Sequence, residues 1–157
     1  MTTPIEHDEL RTRARAIIDA NKYMTLATAD DDGRPWVSPV YFTPDGYRDY
    51  YWVSSPDAAH SSNVEARPDV SVVIYDSSVP IGGAAAVYLR GRAGLVEGAD
   101  LERCAALYSG RFPELTVFRP EDLTAPAPWR LYVVTAAVHS LLVRVGDPDH
   151  GSGADTR

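Results

Sequence analysis

The chain has 157 residues, 45% hydrophobic and 24% charged, with a formal net charge of −7 at pH 7. This length suits one domain with its own core. The acidic balance argues against nucleic acid or an anionic membrane as a partner, and no apolar run approaches the ~20 residues that span a bilayer. A lone cysteine and the absence of a signal peptide favour a cytoplasmic protein. The four histidines lack metal-ligand spacing, so we expect no metal site.

The first predicted element is a helix over residues 4–20. Residues 3–6, Thr-Pro-Ile-Glu, have the form of a capping box with proline at the first helical position. Apolar residues then recur at helical spacing and predict one buried face: Leu10, Ala14, Ile17 and Ile18.

Three strands are predicted next, over residues 23–29, 35–42 and 48–54. Residues 30–33 (DDDG) and 43–46 (TPDG) have the composition of tight turns. Two short connections in succession predict an antiparallel meander.

The third strand runs into a stretch rich in hydroxyl groups, where a helix is predicted over residues 56–67. Ser55 is the expected N-cap, and Pro56 suits the first helical position. Free N–H groups and the helix dipole attract anions, phosphate above all. An ordinary capped helix without a ligand is the alternative interpretation.

Further strands are predicted over residues 70–75, 84–96, 129–136 and 138–145, and the last two could form one strand bent near Ala136-Ala137. A helix is predicted over 100–108, in which Cys104 is expected to be a core residue. Arg90 and Arg92 alternate along their strand and are expected on a solvated or ion-paired face. The intervening 110–128 reads as irregular, with one helical turn at 120–123.

The pattern as a whole predicts a mainly β fold. About six antiparallel strands with flanking helices close most naturally into a small barrel, which removes exposed strand edges. We expect one domain over residues 1–145 and a disordered polar tail over 146–157.

Three segments together resemble the pyridoxamine 5'-phosphate oxidase-like FMN-binding split-barrel family. They are YMTLATADDDGRPWVSPVYF, DYYWVSSPDAAHSSNVEARPDVSVVIY and AVYLRGRAGLV. The resemblance implies a homodimer with two flavin sites at the subunit interface. It also implies an FMN-dependent oxidoreductase that acts on a small organic substrate by hydride transfer. An F420-dependent reductase of the same fold, or a non-catalytic flavin or haem carrier or sensor, is the alternative.

The resemblance assigns site residues by position in three groups. The second strand would line the flavin ring through Trp36, Val37, Ser38, Pro39 and Val40. The strand-to-helix corner would hold the phosphate through Ser54, Ser55, His60, Ser61 and Asn63. Trp129 and Arg130 would reach the flavin of the partner subunit. These assignments are expectations from the family.

The sequence also departs from the family pattern. Many relatives carry Arg-Lys or Lys where this chain has Ala59-His60. Histidine gives a weaker, pH-dependent grip on phosphate, so we expect affinity to fall as pH rises. The vitamin B6 oxidases carry an Arg-Leu-His segment that handles pyridoxal, and its closest match here is Arg130-Leu131-Tyr132. They also have Gln and Arg where this chain has Ala85-Ala86. Both departures argue against that substrate.

No catalytic acid or base can be assigned from the sequence. Tyr41, Tyr88 and His60 are candidates for proton transfer. F420 would need extra cations at the mouth of the groove, for which Arg34, Arg48 and Arg67 are available. A haem would need an axial ligand, and His139 is the histidine in the most apolar setting.

Overall fold

The computed structural model describes residues 4–142. Thr3 of the predicted capping box, residues 143–145 of the last predicted strand and the predicted tail 146–157 lie outside the described residues. The helices are α1 (Pro4–Ala20), α2 (Ala59–Ala66) and α3 (Leu101–Ser109). The strands are β1 (Tyr23–Ala29), β2 (Pro35–Tyr41), β3 (Thr43–Asp45), β4 (Asp49–Ser54), β5 (Asp69–Tyr75), β6 (Ala86–Leu95) and β7 (Arg130–Leu141). Short 3₁₀ turns span Gly98–Asp100 and Pro120–Leu123.

The strands form one antiparallel sheet in the order β2-β1-β5-β6-β7-β4-β3. Its two edge strands, β2 and β3, are consecutive in the chain and are joined through the buried Phe42. The sheet therefore curls, and side chains from β1, β2 and β4 to β7 share one hydrophobic core. The predicted mainly β, antiparallel split barrel is confirmed.

The predicted number of about six strands, and the predicted meander of the first three, each need a correction. Thr43–Asp45, predicted as a turn, forms the seventh strand β3, because the reversal lies at Gly46 and Tyr47, which both have positive φ. The N–H of Arg48 closes this reversal by donating to the carbonyl of Asp45, 3.1 Å away. In addition, β4 pairs with the distant β7 rather than with β2.

The last strand, β7, is a single strand bent by a bulge at Ala137, as one of the two sequence interpretations had it. Its pairing with β6 passes from Arg90–Val138 to Gly91–Ala136, which leaves Ala137 unpaired. A Cβ atom on Gly91 would lie 2.2 Å from the carbonyl oxygen of Thr135. The close approach of the two backbones therefore requires glycine at position 91.

The outer face of β4 and β7 is covered by α3 and the turn at residues 120–123. Cys104 is 2% exposed, and its Sγ lies 3.5 Å from the hydroxyl of Tyr51, so it is a core residue as predicted. Arg90 and Arg92 are exposed, and Arg92 pairs with Asp69 at 3.1 Å, also as predicted. Over residues 4–142, no helix combines the length and apolarity that crossing a membrane demands.

Arg111, which lies in the segment 110–128 that was predicted as irregular, binds the end of α1 to the barrel. The guanidinium of Arg111 donates to the carbonyl oxygens of Ile18 at 3.2 Å and Asn21 at 2.8 Å, and to that of Phe42. It also lies 4.6 Å from the centre of the Phe42 ring. A cation at these carbonyls complements the negative end of the α1 dipole.

Candidate functional site

The corner between β4 and α2 is a turn followed by a helix that begins later than predicted. The hydroxyl of Ser55 accepts from the N–H of Asp57 at 3.2 Å, and the carbonyl of Ser55 accepts from Ala58. These bonds close a turn around Pro56, so α2 starts at Ala59 with Ala58 as its N-cap. Ser55 as N-cap and Pro56 as first helical residue were therefore wrong predictions. No side-chain hydrogen bond caps the helix at Ala58, so the N–H groups of its first turn keep their tendency to attract an anion.

His60 connects this corner to the edge strand β2. Its Nε2 lies 2.8 Å from the hydroxyl of Ser54, and its Nδ1 lies 3.2 Å from the hydroxyl of Ser38. The indole Nε1 of Trp36 donates to that same Ser38 oxygen at 2.9 Å. Half-burial lowers the pKa of His60, so the ring is neutral at pH 7 and one nitrogen donates while the other accepts.

Two other predicted phosphate contacts hold the corner together. The hydroxyl of Ser61, 3% exposed, donates to the carbonyl of Ser55 at 2.7 Å. The amide Nδ2 of Asn63, 9% exposed, donates to the hydroxyl of Thr28 in β1 at 3.0 Å. Both side chains fix α2 against its surroundings, and their contact with a cofactor stays a prediction.

The predicted ring-binding strand β2 lies at an edge of the sheet, with β1 on one side. An edge strand presents unpaired backbone N–H and C=O groups. Trp36, Val37 and Pro39 are exposed, with 53% and 61% exposure for the first two. The side chain of Val40 is packed in the core, so this residue can reach a ligand through its backbone alone.

The structure brings the start of β7 to the same corner. Arg130 is the register partner of Ser54, so the two residues are neighbours within one chain. The guanidinium Nη1 of Arg130 donates to the carbonyl oxygens of Ala127 and Trp129, both at 2.6 Å. Trp129 is 45% exposed beside it. The predicted reach of these residues to a partner subunit stays a prediction.

The cations considered for a longer cofactor tail lie in two places. Arg67 follows α2 and donates to the carbonyl of Asp31, and Arg34 pairs with Asp32, so both lie at the β1–β2 turn. Arg48 lies at the β3–β4 turn, at the end of β4 away from Ser54. Arg34 and Arg67 thus flank the start of the exposed strand β2, whereas Arg48 does not.

The histidine considered as a haem ligand already has a partner at one ring nitrogen. Nε2 of His139 lies 2.9 Å from the hydroxyl of Tyr50. Desolvation lowers the pKa of His139. Haem ligation through Nε2 would have to displace Tyr50. Among the side chains that the structure describes, those of residues 8–142, no group of three or more His, Cys, Asp or Glu could hold a metal ion.

The roles of Ser38 and Thr28 as partners of α2 were not predicted. Ser38 was expected to contact the ring, and Thr28 was expected in a strand without a role in the site. Their partners lie 22 and 35 residues away in the sequence, so no local pattern signals either contact.

Comparison with known proteins gives a family and several structural relatives. A family model described as pyridoxamine 5'-phosphate oxidase matches residues 10–137. A search of curated proteins gave no match.

Among solved structures, the haem storage protein HutZ from Vibrio cholerae is 23% identical, with TM-score 0.69, covering 90% of this chain and 99% of that chain. A haem-binding protein from Mycobacterium smegmatis is 22% identical, with TM-score 0.71, covering 100% of this chain and 59% of that chain. An F420 reductase is 20% identical, with TM-score 0.59, covering 80% and 94%. At these identities the likeness concerns the fold.

The family model spans most of the chain, from the middle turns of α1 to the bulge in β7, and so includes β2, the corner and the start of β7. The sequence resemblance rested on the same segments, and the strand order agrees with it. The chain belongs to the pyridoxamine 5'-phosphate oxidase family.

Proposed function

We propose that the protein is an FMN-dependent oxidoreductase that transfers a hydride to or from a small organic substrate. The observation that carries this proposal is the hydrogen-bonded series Trp36–Ser38–His60–Ser54. It joins the strand that the family uses for the flavin ring to the corner that it uses for the phosphate. The two segments that we assign to a flavin are therefore neighbours in this chain.

The residues present fit a flavin at both ends. The free edge of β2 offers backbone donors and acceptors that suit the polar edge of an isoalloxazine ring. The exposed Trp36 and Val37 offer apolar surface for its face. At the corner, the start of α2 offers N–H groups to a phosphate, and His60 would exchange its bond to Ser38 or Ser54 for a bond to a phosphate oxygen.

When bound, the flavin would supply the two-electron chemistry, and the protein would supply position and electrostatics. The edge backbone of β2 orients the ring, and the exposed Trp36 restricts access of water to one side of it. His60 binds the phosphate end and lies too close to that end to be assigned as the proton donor for the substrate. Tyr41 and Tyr88 remain the candidates for that role.

Because His60 titrates, the affinity of the corner for a phosphate group depends on pH. Burial holds the imidazole neutral in the free protein at pH 7, whereas a neighbouring phosphate dianion favours the imidazolium. Binding therefore takes up a proton between the free and the bound pKa values, and affinity falls as pH rises through that window. Below the free pKa the ring is already charged, and the dependence levels off.

Calorimetric titration with FMN and with riboflavin, at pH 6 and pH 8, tests the assignment. We expect FMN to bind more tightly at pH 6 and riboflavin, which lacks the phosphate, to bind equally at both. Ser54→Ala should weaken FMN and leave riboflavin unchanged. Ser62→Ala, on the exposed side of α2, is the matched control. No binding of either flavin to the wild-type protein would refute the proposal.

A turnover assay distinguishes an enzyme from a protein that only carries the flavin. Stopped-flow mixing of the FMN-loaded protein with NAD(P)H, followed by a defined organic acceptor, should show reduction and then reoxidation at rates that depend on acceptor concentration. Tight FMN binding without acceptor-dependent reoxidation would favour storage or sensing.

The exposed apolar residues on β2 and before β7 support a homodimer as the functional form: Trp36, Val37 and Trp129. Light scattering at several protein concentrations measures the oligomeric state.

An F420-dependent reductase is the second candidate, and the position of two arginines favours it over haem binding. Arg34 and Arg67 lie at the β1–β2 turn, where a longer anionic tail could run beyond the ring strand. Titration with F420 and with FMN compares the two cofactors directly. For F420, the double variant Arg34→Gln and Arg67→Gln should lose affinity, while Arg48→Gln should not.

A further inference from the structure

A second cleft lies between α1 and the β3–β4 turn, at the end of β4 opposite the corner. Its volume is about 550 Å³, within the range of small-molecule sites. Its floor is apolar and is formed by Leu10, Ala14, Ile18 and Leu141. None of the residues assigned above to the flavin lines it.

The charged side chains that line this cleft carry positive charge. Arg11 and Arg15 are one helical turn apart on α1 and lie at its rim. His139 and Ser140 add hydrogen-bonding groups from β7. No described carboxylate lines the cleft, although the whole chain carries a net charge of −7. Two carboxylates nearby bond to lining residues, Asp8 to Arg11 and Asp19 to the hydroxyl of Tyr47.

One wall of the cleft is a strained residue that its neighbours hold in place. Tyr47 has φ +53°, a left-handed conformation that is uncommon for an aromatic residue. Its hydroxyl donates to Asp19 at 2.7 Å, and its ring lies 4.9 Å from the Arg15 guanidinium. Strain that is fixed by several partners is typical of ligand-binding walls.

We propose that this cleft binds a small organic carboxylate with an apolar body. The apolar body would lie on the floor of the cleft, with the carboxylate at Arg11 and Arg15. Arg11 is paired with Asp8 at 3.3 Å, but both side chains are largely exposed, at 63% and 78%. Such a pair contributes little, so Arg11 can exchange Asp8 for a ligand carboxylate. Asp19 is engaged with the hydroxyl of Tyr47.

NMR titration of the full chain with octanoate, and with neutral octanamide as its isostere, tests this site. We expect saturable amide shifts at residues 10–18, 46–47 and 139–141, and octanamide at least threefold weaker than octanoate. Equal affinity for the two probes would overturn the proposal. So would shifts confined to residues 36–40 and 54–60, or no saturation at 10 mM probe.

Variants test the charges in the same assay. Arg11→Gln with Arg15→Gln should weaken octanoate at least threefold and leave octanamide within twofold. Arg119→Gln, which removes an exposed arginine at the turn of residues 120–123, is the matched control and should change neither. Unchanged octanoate affinity in a double variant with a dispersed spectrum would overturn the proposal. If the double variant does not fold, the comparison of the two probes on the wild-type protein decides.

Discussion

Replacing Gly91 by alanine tests the close approach of β6 and β7 at the bulge. The new Cβ would lie 2.2 Å from the carbonyl oxygen of Thr135 and 3.0 Å from the Cα of Ala136. Both contacts are with backbone, so no change of rotamer relieves them. The two central strands would have to separate by about 1 Å, because an ordinary carbon–oxygen contact is close to 3.4 Å.

The expected cost follows from these contacts. Overpacking of a core costs about 1–3 kcal/mol, and weakening two backbone hydrogen bonds near the bulge adds about 1 kcal/mol each. We therefore expect Gly91→Ala to lower the free energy of unfolding by about 3–5 kcal/mol. This is a large part of the total for a domain of this size.

Gly94 provides a matched control on the same strand. A Cβ on Gly94 would meet no heavy atom within 4 Å, so Gly94→Ala should be neutral or stabilise by up to about 1 kcal/mol through the unfolded chain. Urea unfolding followed by tryptophan fluorescence gives both values from the midpoint and the slope. If the two variants differed by less than about 1 kcal/mol with unchanged slopes, the described register at the bulge would be wrong.

Three further predictions concern side chains that hold the fold together. Arg111→Ala should lower the free energy of unfolding by about 2–4 kcal/mol, because several buried carbonyls lose a charged donor; Arg111→Lys should recover part of this in the same urea assay. Stability should fall as pH drops below about 6.5, since burial lowers the pKa of His60 and His139 and the unfolded chain binds protons first. His60→Asn should flatten that decline in melts between pH 7.5 and 5.5, and an unchanged slope would contradict it. Asn63→Leu should cost about 1–3 kcal/mol because Thr28 loses its donor, and a thermal melt equal to that of wild type would exclude this role.

Local patterns were sufficient for most of the elements. The alternation in residues 23–29 and the turn residues 30–33 predict β1 and its hairpin, because both signals lie within a few residues. The same holds for the helical spacing in α1. The start of α2 was placed too early because Ser55 and Pro56 suit both a helix N-terminus and a turn. The bonds that decide between them involve the Ser55 carbonyl, which carries no sequence signal.

Long-range contacts were beyond prediction from the sequence. Pairing of β4 with β7 joins residues about 80 apart, and apolar strands do not specify which neighbour they take. Arg111 lies in a proline-rich stretch that looked irregular, and its partners are 69 to 93 residues away. In the candidate site, family resemblance gave Ser38, Ser54 and His60 as members, but the bonds among them required coordinates.

Phe42 connects β2 directly to β3, the two edge strands of the sheet. Tyr41 pairs with Tyr23 on one side, and Thr43 pairs with Tyr51 on the other. A shift of either edge strand by one residue in register would therefore force the same shift in the other. The side chains of both strands would then point to the opposite faces of the sheet. We therefore expect an insertion between residues 41 and 43 to destabilise the barrel, because it would shift one edge strand relative to the other.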